Sequence, residues 1–218
     1  MTLPPLPRAA PCLQALVRVT SLVLVSVGLS ACSTPNGHTH LLRTRPGFVT
    51  VQLTEALICP WGSDGKEWDR DRTVSRQDMD ELYEALASEN PFAASAAFIT
   101  GLTHKGFSPP DPYGQAELWS NGSWHPLPLA TKATNLEDTF RPLWRGAPGW
   151  QHVRFEPDLR IRVTLYDEDL LNDDPIGVVE LDANDLLEAL DFGQQFPVRV
   201  YDRGQQQVLF IGLSVTAE

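Results

Sequence analysis

The chain has 218 residues and a formal net charge of −11 at pH 7, with six Trp and nine Phe among its apolar residues. That length suits one main domain with extras and a core that needs no covalent staples. Arg8 and Arg18 are the only charged residues before Cys32, so the remainder is more acidic still. Such a surface excludes direct nucleic-acid binding, which needs clustered cations, and disfavours attachment to anionic lipid by charge alone.

The first element in chain order is a leader. Arg8 and Arg18 precede the apolar run "VTSLVLVSVG" (19–28), and the small residues of "LSAC" (29–32) follow it. Charge, short apolar stretch and small residues in that order read as a secretory signal, and the run falls short of the ~20 residues a membrane-spanning helix needs. "LSAC" resembles the lipobox of bacterial lipoproteins. That resemblance implies a signal peptide over 1–31, cleavage before Cys32, and lipid carried on Cys32. Ser33 is similar to the outer-membrane sorting pattern of Gram-negative families, so the implied location is the cell envelope, anchored at the outer membrane. An ordinary secretory signal that ends near a cysteine is the plainer alternative. Residues 32–46, rich in Pro, Gly and polar side chains, read as a lipidated tether. Cys12 leaves with the signal, so Cys59 in "ALICPW" has no partner for an internal disulfide and is expected to be a buried thiol.

From Phe48 onward the pattern is β. "FVTVQLT" (48–54) alternates apolar and polar residues, and "LRIRVTLY" (159–166) does so most clearly, with Leu159, Ile161, Val163 and Leu165 on one face. Shorter runs at 114–120, 123–127, 151–156, 176–182, 196–202 and 207–215 bring the count to about eight strands separated by turns. That predicts an all-β antiparallel sandwich. One segment has a helical period instead. Met79, Leu82, Tyr83 and Leu86 share a face, with Ser75 as N-cap; Asn90-Pro91 opens a second helix expected to end at Gly101. A helical hairpin over about 75–101 is therefore inserted in the β domain. Core packing accounts for its apolar stripe, and a protein partner is the alternative use.

"YDEDLLNDDPIG" (166–177) crowds five carboxylates without a single cation. Two carboxylates about 4 Å apart repel by roughly 4 kcal/mol at an effective dielectric near 20. Alternation puts Asp167 and Asp169 on one side, and Pro175 holds Asp174 extended where a returning strand can start. Three acids at a loop base outline a site for a hard cation, and Ca2+ tolerates such irregular oxygen cages.

The run "RIRVTLYDEDLLNDDPIG" resembles the third loop of a C2 domain. "PPDPYGQAELW" (109–119) is similar to that family's first-loop motif, and "TNLEDTFRPLWRG" (134–146) to the segment between them. All three come in family order. The resemblance implies a C2-like eight-stranded antiparallel β-sandwich over 47–218, with the helical hairpin inserted in its first loop. It also implies Ca2+ binding and, through the ion, binding to phospholipid. Carried over position by position, the metal ligands are Asp111, Asp167, Asp169 and Asp174. Asp69 is the first acid of the first loop, ahead of Asp71 and Asp64. Asp173 is an alternative to Asp174, and Leu170 and Leu171 at the loop tip are candidate membrane contacts. Two departures bear on this site: the third loop is one residue short, and the helical insert separates Asp69 from Asp111. A calcium-independent interaction module is the competing reading. No Gly-x-Ser-x-Gly or His-Glu-x-x-His pattern occurs, and His104, His125 and His152 lie in unrelated segments, so no enzymatic role is expected.

Overall fold

In the run Arg160–Asp167 the burial alternates residue by residue, with Ile161, Val163 and Leu165 fully inside, as the period-two pattern requires. A computed structural model of the protein describes residues 46–132, 136–169, 173–201 and 207–218. The expected signal segment, Cys32, nearly all of the tether, and Leu170 and Leu171 lie outside the described residues. The strands are β1 (Phe48–Ile58), β2 (Pro112–Ser120), β3 (Ser123–Ala130), β4 (Gly149–Arg154), β5 (Arg160–Asp167), β6 (Asp174–Leu181), β7 (Phe196–Arg199) and β8 (Val208–Ala217). Helices α1 (Arg76–Leu86) and α2 (Pro91–His104) lie between β1 and β2, and α3 (Ala183–Phe192) lies between β6 and β7.

Two four-stranded antiparallel sheets form, ordered β4-β1-β8-β7 and β3-β2-β5-β6. This is the eight-stranded C2-like sandwich that the sequence implies. Val51, Leu53, Ala116, Leu118, Ile161, Val163, Leu213 and Val215 fill the space between the sheets. Edge strand β3 carries Pro126 and Pro128, which lack an N–H; an edge tolerates them and a central strand does not.

Three local differences from the sequence reading have physical causes. Strand β1 runs on to Ile58, past the end of the alternation at Thr54. Its second half is buried on both faces: Ala56 and Ile58 join the inter-sheet core, while Leu57, with Cys59 just past the strand, joins a second core under the insert. A strand covered on both sides reads as a continuous apolar run. That second core contains Leu82, Leu86, Ile99 and Leu102, so the hairpin's apolar stripe packs on the sandwich. Helix α2 continues through Gly101 to His104. A glycine inside a helix costs about 1 kcal/mol, which burial of Leu102 in the last turn offsets. Helix α3 has no counterpart in the sequence reading. Asp182 and Asp185 form a reciprocal capping box there, and Gly193 closes the helix in the left-handed conformation, φ 72°. Cys59 is buried and in no disulfide among the described residues, as its sequence position suggests. Among the described residues no helix is long and apolar enough to cross a membrane.

At Gly114 the backbone of β2 lies close against β5. A Cβ there would stand 2.0 Å from the Thr164 carbonyl oxygen. Gly114→Ala is expected to force the two strands apart and lower stability by about 1–3 kcal/mol, read from the urea midpoint. An unchanged midpoint would count against this packing.

Candidate metal centre

Strand register brings the acids together. Asp167 ends β5, opposite Pro112 at the start of β2 and opposite Asp174 at the start of β6. Asp111 immediately precedes β2. The end of β1 reaches the same place: Cys59 N–H donates to Gln207 O at 2.6 Å, and Gln207 N–H donates to Ile176 O at 3.0 Å. The loops after β1, β3, β5 and β7 therefore share one end of the sandwich. Asp167 is 1% exposed, and its Oδ1 accepts the Asp111 backbone N–H at 2.7 Å. Glu168 N–H donates to Asp111 O at 3.1 Å. Asp111 Oδ1 in turn accepts the Asp138 N–H at 2.6 Å, and Asp69 Oδ2 accepts from Ser108 Oγ at 3.0 Å.

The electrostatics are those of a group of like charges. Burial pushes the Asp167 carboxyl up to about 7, and the charges of Asp69, Asp169 and Asp111 push the same way against the Asp111 N–H. Loss of solvent also raises Asp69, helped by Asp111, Asp169 and Asp138 and opposed by the Ser108 hydroxyl. Asp169 is raised by loss of solvent and by Asp174, Asp173 and Asp111. The helical insert has thus not carried Asp69 out of range of Asp111. Asp71 pairs with Lys66, and Asp64 accepts the Lys66 backbone N–H at 3.0 Å, so both are used within their own loop. Asp173 is held by Lys132 and Tyr113, which pull its carboxyl below the usual range, and this sets it apart from the repelling group.

Asp69, Asp169 and Asp174 line an open groove of about 530 Å3, together with Trp68, Lys66 and Arg70. Asp111 and Asp167 are not part of that lining. Among the described residues, no three His, Cys, Asp or Glu side chains are grouped tightly enough to hold a metal ion. Charge coupling reaches further than ligation, which needs several oxygens at 2.3–2.6 Å from one point. The donor type suits a hard cation, while the spacing of the described acids does not gather three of them on one point. The interacting groups are carboxylates, with no imidazole or thiolate among them, and the buried Asp167 lacks a cationic side chain beside it among the described residues.

Sequence reasoning missed Asp138, Ser108, Lys132 and Tyr113. Asp138 adopts φ 50°, a conformation that Asp tolerates better than most residues, but the "LEDT" around it carries no distinguishing signal. The other three become visible only when the loops meet.

No family model matches the chain, and no curated protein sequence matches it. Solved structures overlap it loosely. Human GIVD cytosolic phospholipase A2 is 16% identical at a TM-score of 0.38, over 78% of this chain and 17% of the enzyme. A fragment of extended-synaptotagmin 2 holding two C2 domains is 14% identical at 0.39, over 91% of this chain and 48% of that one. A single C2 domain of plant extended synaptotagmin 1 is 12% identical at 0.36, over 80% and 98%. The chain thus spans under a fifth of the phospholipase and about half of the two-domain fragment. At these scores the likenesses carry no weight for what this chain binds.

Proposed function

We propose that the chain is a lipid-anchored envelope protein whose C2-like domain binds Ca2+ with Asp69, Asp111, Asp167, Asp169 and Asp174, and binds phospholipid through the ion. The observation behind this reading is the mutual repulsion of carboxylates from separate loops, with Asp167 buried among them. Such a group is costly without a positive charge at its centre. Bound Ca2+ would supply two positive charges and coordination positions open to phosphate oxygens. The chain's own part is to hold Asp167 rigidly at the end of β5, fix Asp111 through the Asp167–Asp111–Asp138 bonds, and bring in Asp169 from the loop that joins β5 to β6 and Asp174 from the start of β6.

Lipid on Cys32 has a geometric consequence. Phe48, where the anchored segment would enter, lies at the far end of β1 from the acids, and eleven residues of strand span about 36 Å. The residues between Cys32 and Phe48 reach about 55 Å at full extension. The acid loops would meet the anchoring bilayer only with that segment stretched to about two-thirds of that reach, well beyond its relaxed length. A surface facing the domain is the easier target.

Calcium titration followed by thermal melting tests the reading. A binder gains about 2.7 kcal/mol at a hundredfold excess over its dissociation constant, or about 5–10 °C for a domain of this size. The paired Asp167→Asn and Asp169→Asn variant should lose the shift and keep the fold. Co-sedimentation with phosphatidylserine vesicles, with and without Ca2+, tests the lipid step. A melting point unmoved at millimolar Ca2+ rejects the proposal. That result would favour the second reading, a calcium-independent interaction module. Its support is that no three metal-ligating side chains are closely grouped among the described residues.

A further inference from the structure

We propose that the pocket between α2 and the segment 138–141 is a binding site for a small organic ammonium, a primary amine carrying one apolar ring. The pocket has a volume of about 190 Å3 and shares no lining residue with the groove of Asp69, Asp169 and Asp174, so the inference does not depend on a metal ion. Its floor is apolar. Leu57 of β1, Ile99 of α2 and Phe140 are each at most 4% exposed, and Ala96 completes the floor. A cavity of about 150 Å3 with such a lining holds a benzene ring, so this one has room for a ring and a short arm. The wall opposite α2 is fixed by its backbone. Ile58 N–H donates to Phe140 O at 2.8 Å, and Thr139 N–H to Pro110 O at 2.9 Å. Asp138 N–H donates to Asp111 Oδ1 at 2.6 Å.

The rim offers hydrogen-bond acceptors and one uncompensated negative charge. Thr100 Oγ1 donates to Ala96 O at 2.8 Å, and Thr103 Oγ1 to Ile99 O at 3.3 Å. Each hydroxyl has spent its proton on the helix and keeps lone pairs for a ligand. His104 also stands on the rim, where a neutral imidazole is a further acceptor. Arg141 lines the same pocket, but its guanidinium is engaged by the buried Glu55 carboxylate and lies 5.3 Å from the centre of the Phe92 ring. An anion therefore meets a cation that is already neutralised. Asp138 is exposed on the rim and has no cationic side-chain partner among the described residues. An ammonium brings three N–H donors and the missing positive charge, while its ring fills the floor. A bare cation would leave the floor empty, and a neutral ring would leave Asp138 unanswered.

Titrations of the full chain at pH 8, read by saturation-transfer NMR and by melting, test the assignment. The probes are 2-phenylethylamine, benzyl alcohol as an uncharged ring, phenylacetate as an anionic ring, and methylamine as a charge without a ring. 2-Phenylethylamine should bind with a dissociation constant on the order of 1 mM or tighter. Benzyl alcohol should bind several-fold more weakly, and phenylacetate and methylamine more weakly still. Asp138→Asn should weaken the amine a few-fold and leave benzyl alcohol unchanged. Asn tolerates the φ of 50° at that position, so the rim keeps its shape. Ala96→Leu should fill the floor and abolish binding of both rings. Should that variant fail to fold, contacts from the ligand's ring protons to the methyl groups of Leu57 and Ile99 in the wild type, read as NOEs, locate the ligand instead, and their absence counts against the site. No binding of the amine at about 10 mM overturns the proposal. Equal binding by phenylacetate or by methylamine overturns it too, because the rim charge or the apolar floor then plays no part. Unchanged amine binding in Asp138→Asn or in folded Ala96→Leu places the ligand elsewhere and also overturns it. None of these outcomes depends on a response to Ca2+.

Discussion

Asp167→Asn is expected to stabilise the calcium-free domain at pH 8 while removing its response to the ion. The Asp167 carboxyl is buried, and its folded pKa of about 7 lies far above the ordinary 3.8. Below about pH 4 the carboxyl is protonated in both folded and unfolded chains and contributes nothing. Between about 4 and 7 the folded chain keeps the proton that the unfolded chain has lost, and stability falls as pH rises. Above 7 both forms are ionised and the cost is complete, up to about 4 kcal/mol. Asp69 and Asp169 are raised as well and add to the same trend. Asn keeps an oxygen for the Asp111 N–H and carries no charge. Melting at pH 8 without Ca2+ should therefore rise in the variant, and the gap should close by pH 4. Saturating Ca2+ should reverse the order by stabilising the wild type alone. A variant less stable than the wild type at pH 8 without Ca2+ would show that Asp167 is not a strained group.

Arg141→Met is expected to destabilise the domain by about 3 kcal/mol or more. Glu55 on β1 is 1% exposed, and its carboxylate is held by the Arg141 guanidinium, one contact of which is 3.1 Å, and by the Gln195 amide. Removing one partner of a buried ion pair leaves a charge without compensation, which costs about 3–5 kcal/mol. The Arg141 side chain is half exposed, so the lower end applies. Changing Glu55→Gln in the same chain should recover much of the loss, because no buried charge then remains. Urea unfolding of the two single variants and the double variant measures the coupling. A single-variant loss under about 1 kcal/mol would mean that water reaches Glu55.

The legible parts of the fold are those whose pattern has one physical solution. "LRIRVTLY" alternates because one face is core and the other is not, and the strand forms where the alternation lies. Ser75 and Asn90 announce the two inserted helices, and both side chains accept first-turn N–H groups. "EALIC" is harder to read. Burial under a second core erases its alternation, and periodicity alone cannot separate a doubly covered strand from a buried helix. The α3 segment hides between two strand-like runs. Its capping box, Asp182 with Asp185, stands in the sequence, but ten residues between strands give it little contrast.

The sequence by itself determined which residue types could act. It crowds carboxylates into 166–177 and supplies Asp69 and Asp111 upstream. The packing of α1 and α2 against β1 and β8 keeps Asp69 within reach of Asp111 despite the insert. Only the tertiary structure decided how each acid is used, because partners from distant segments set its charge. Lys132 takes Asp173, and Lys66 takes Asp71. Among the described residues Asp167 is left buried with a backbone N–H as its hydrogen-bond partner, and spacing along the chain carries no information about which cation lies across a loop.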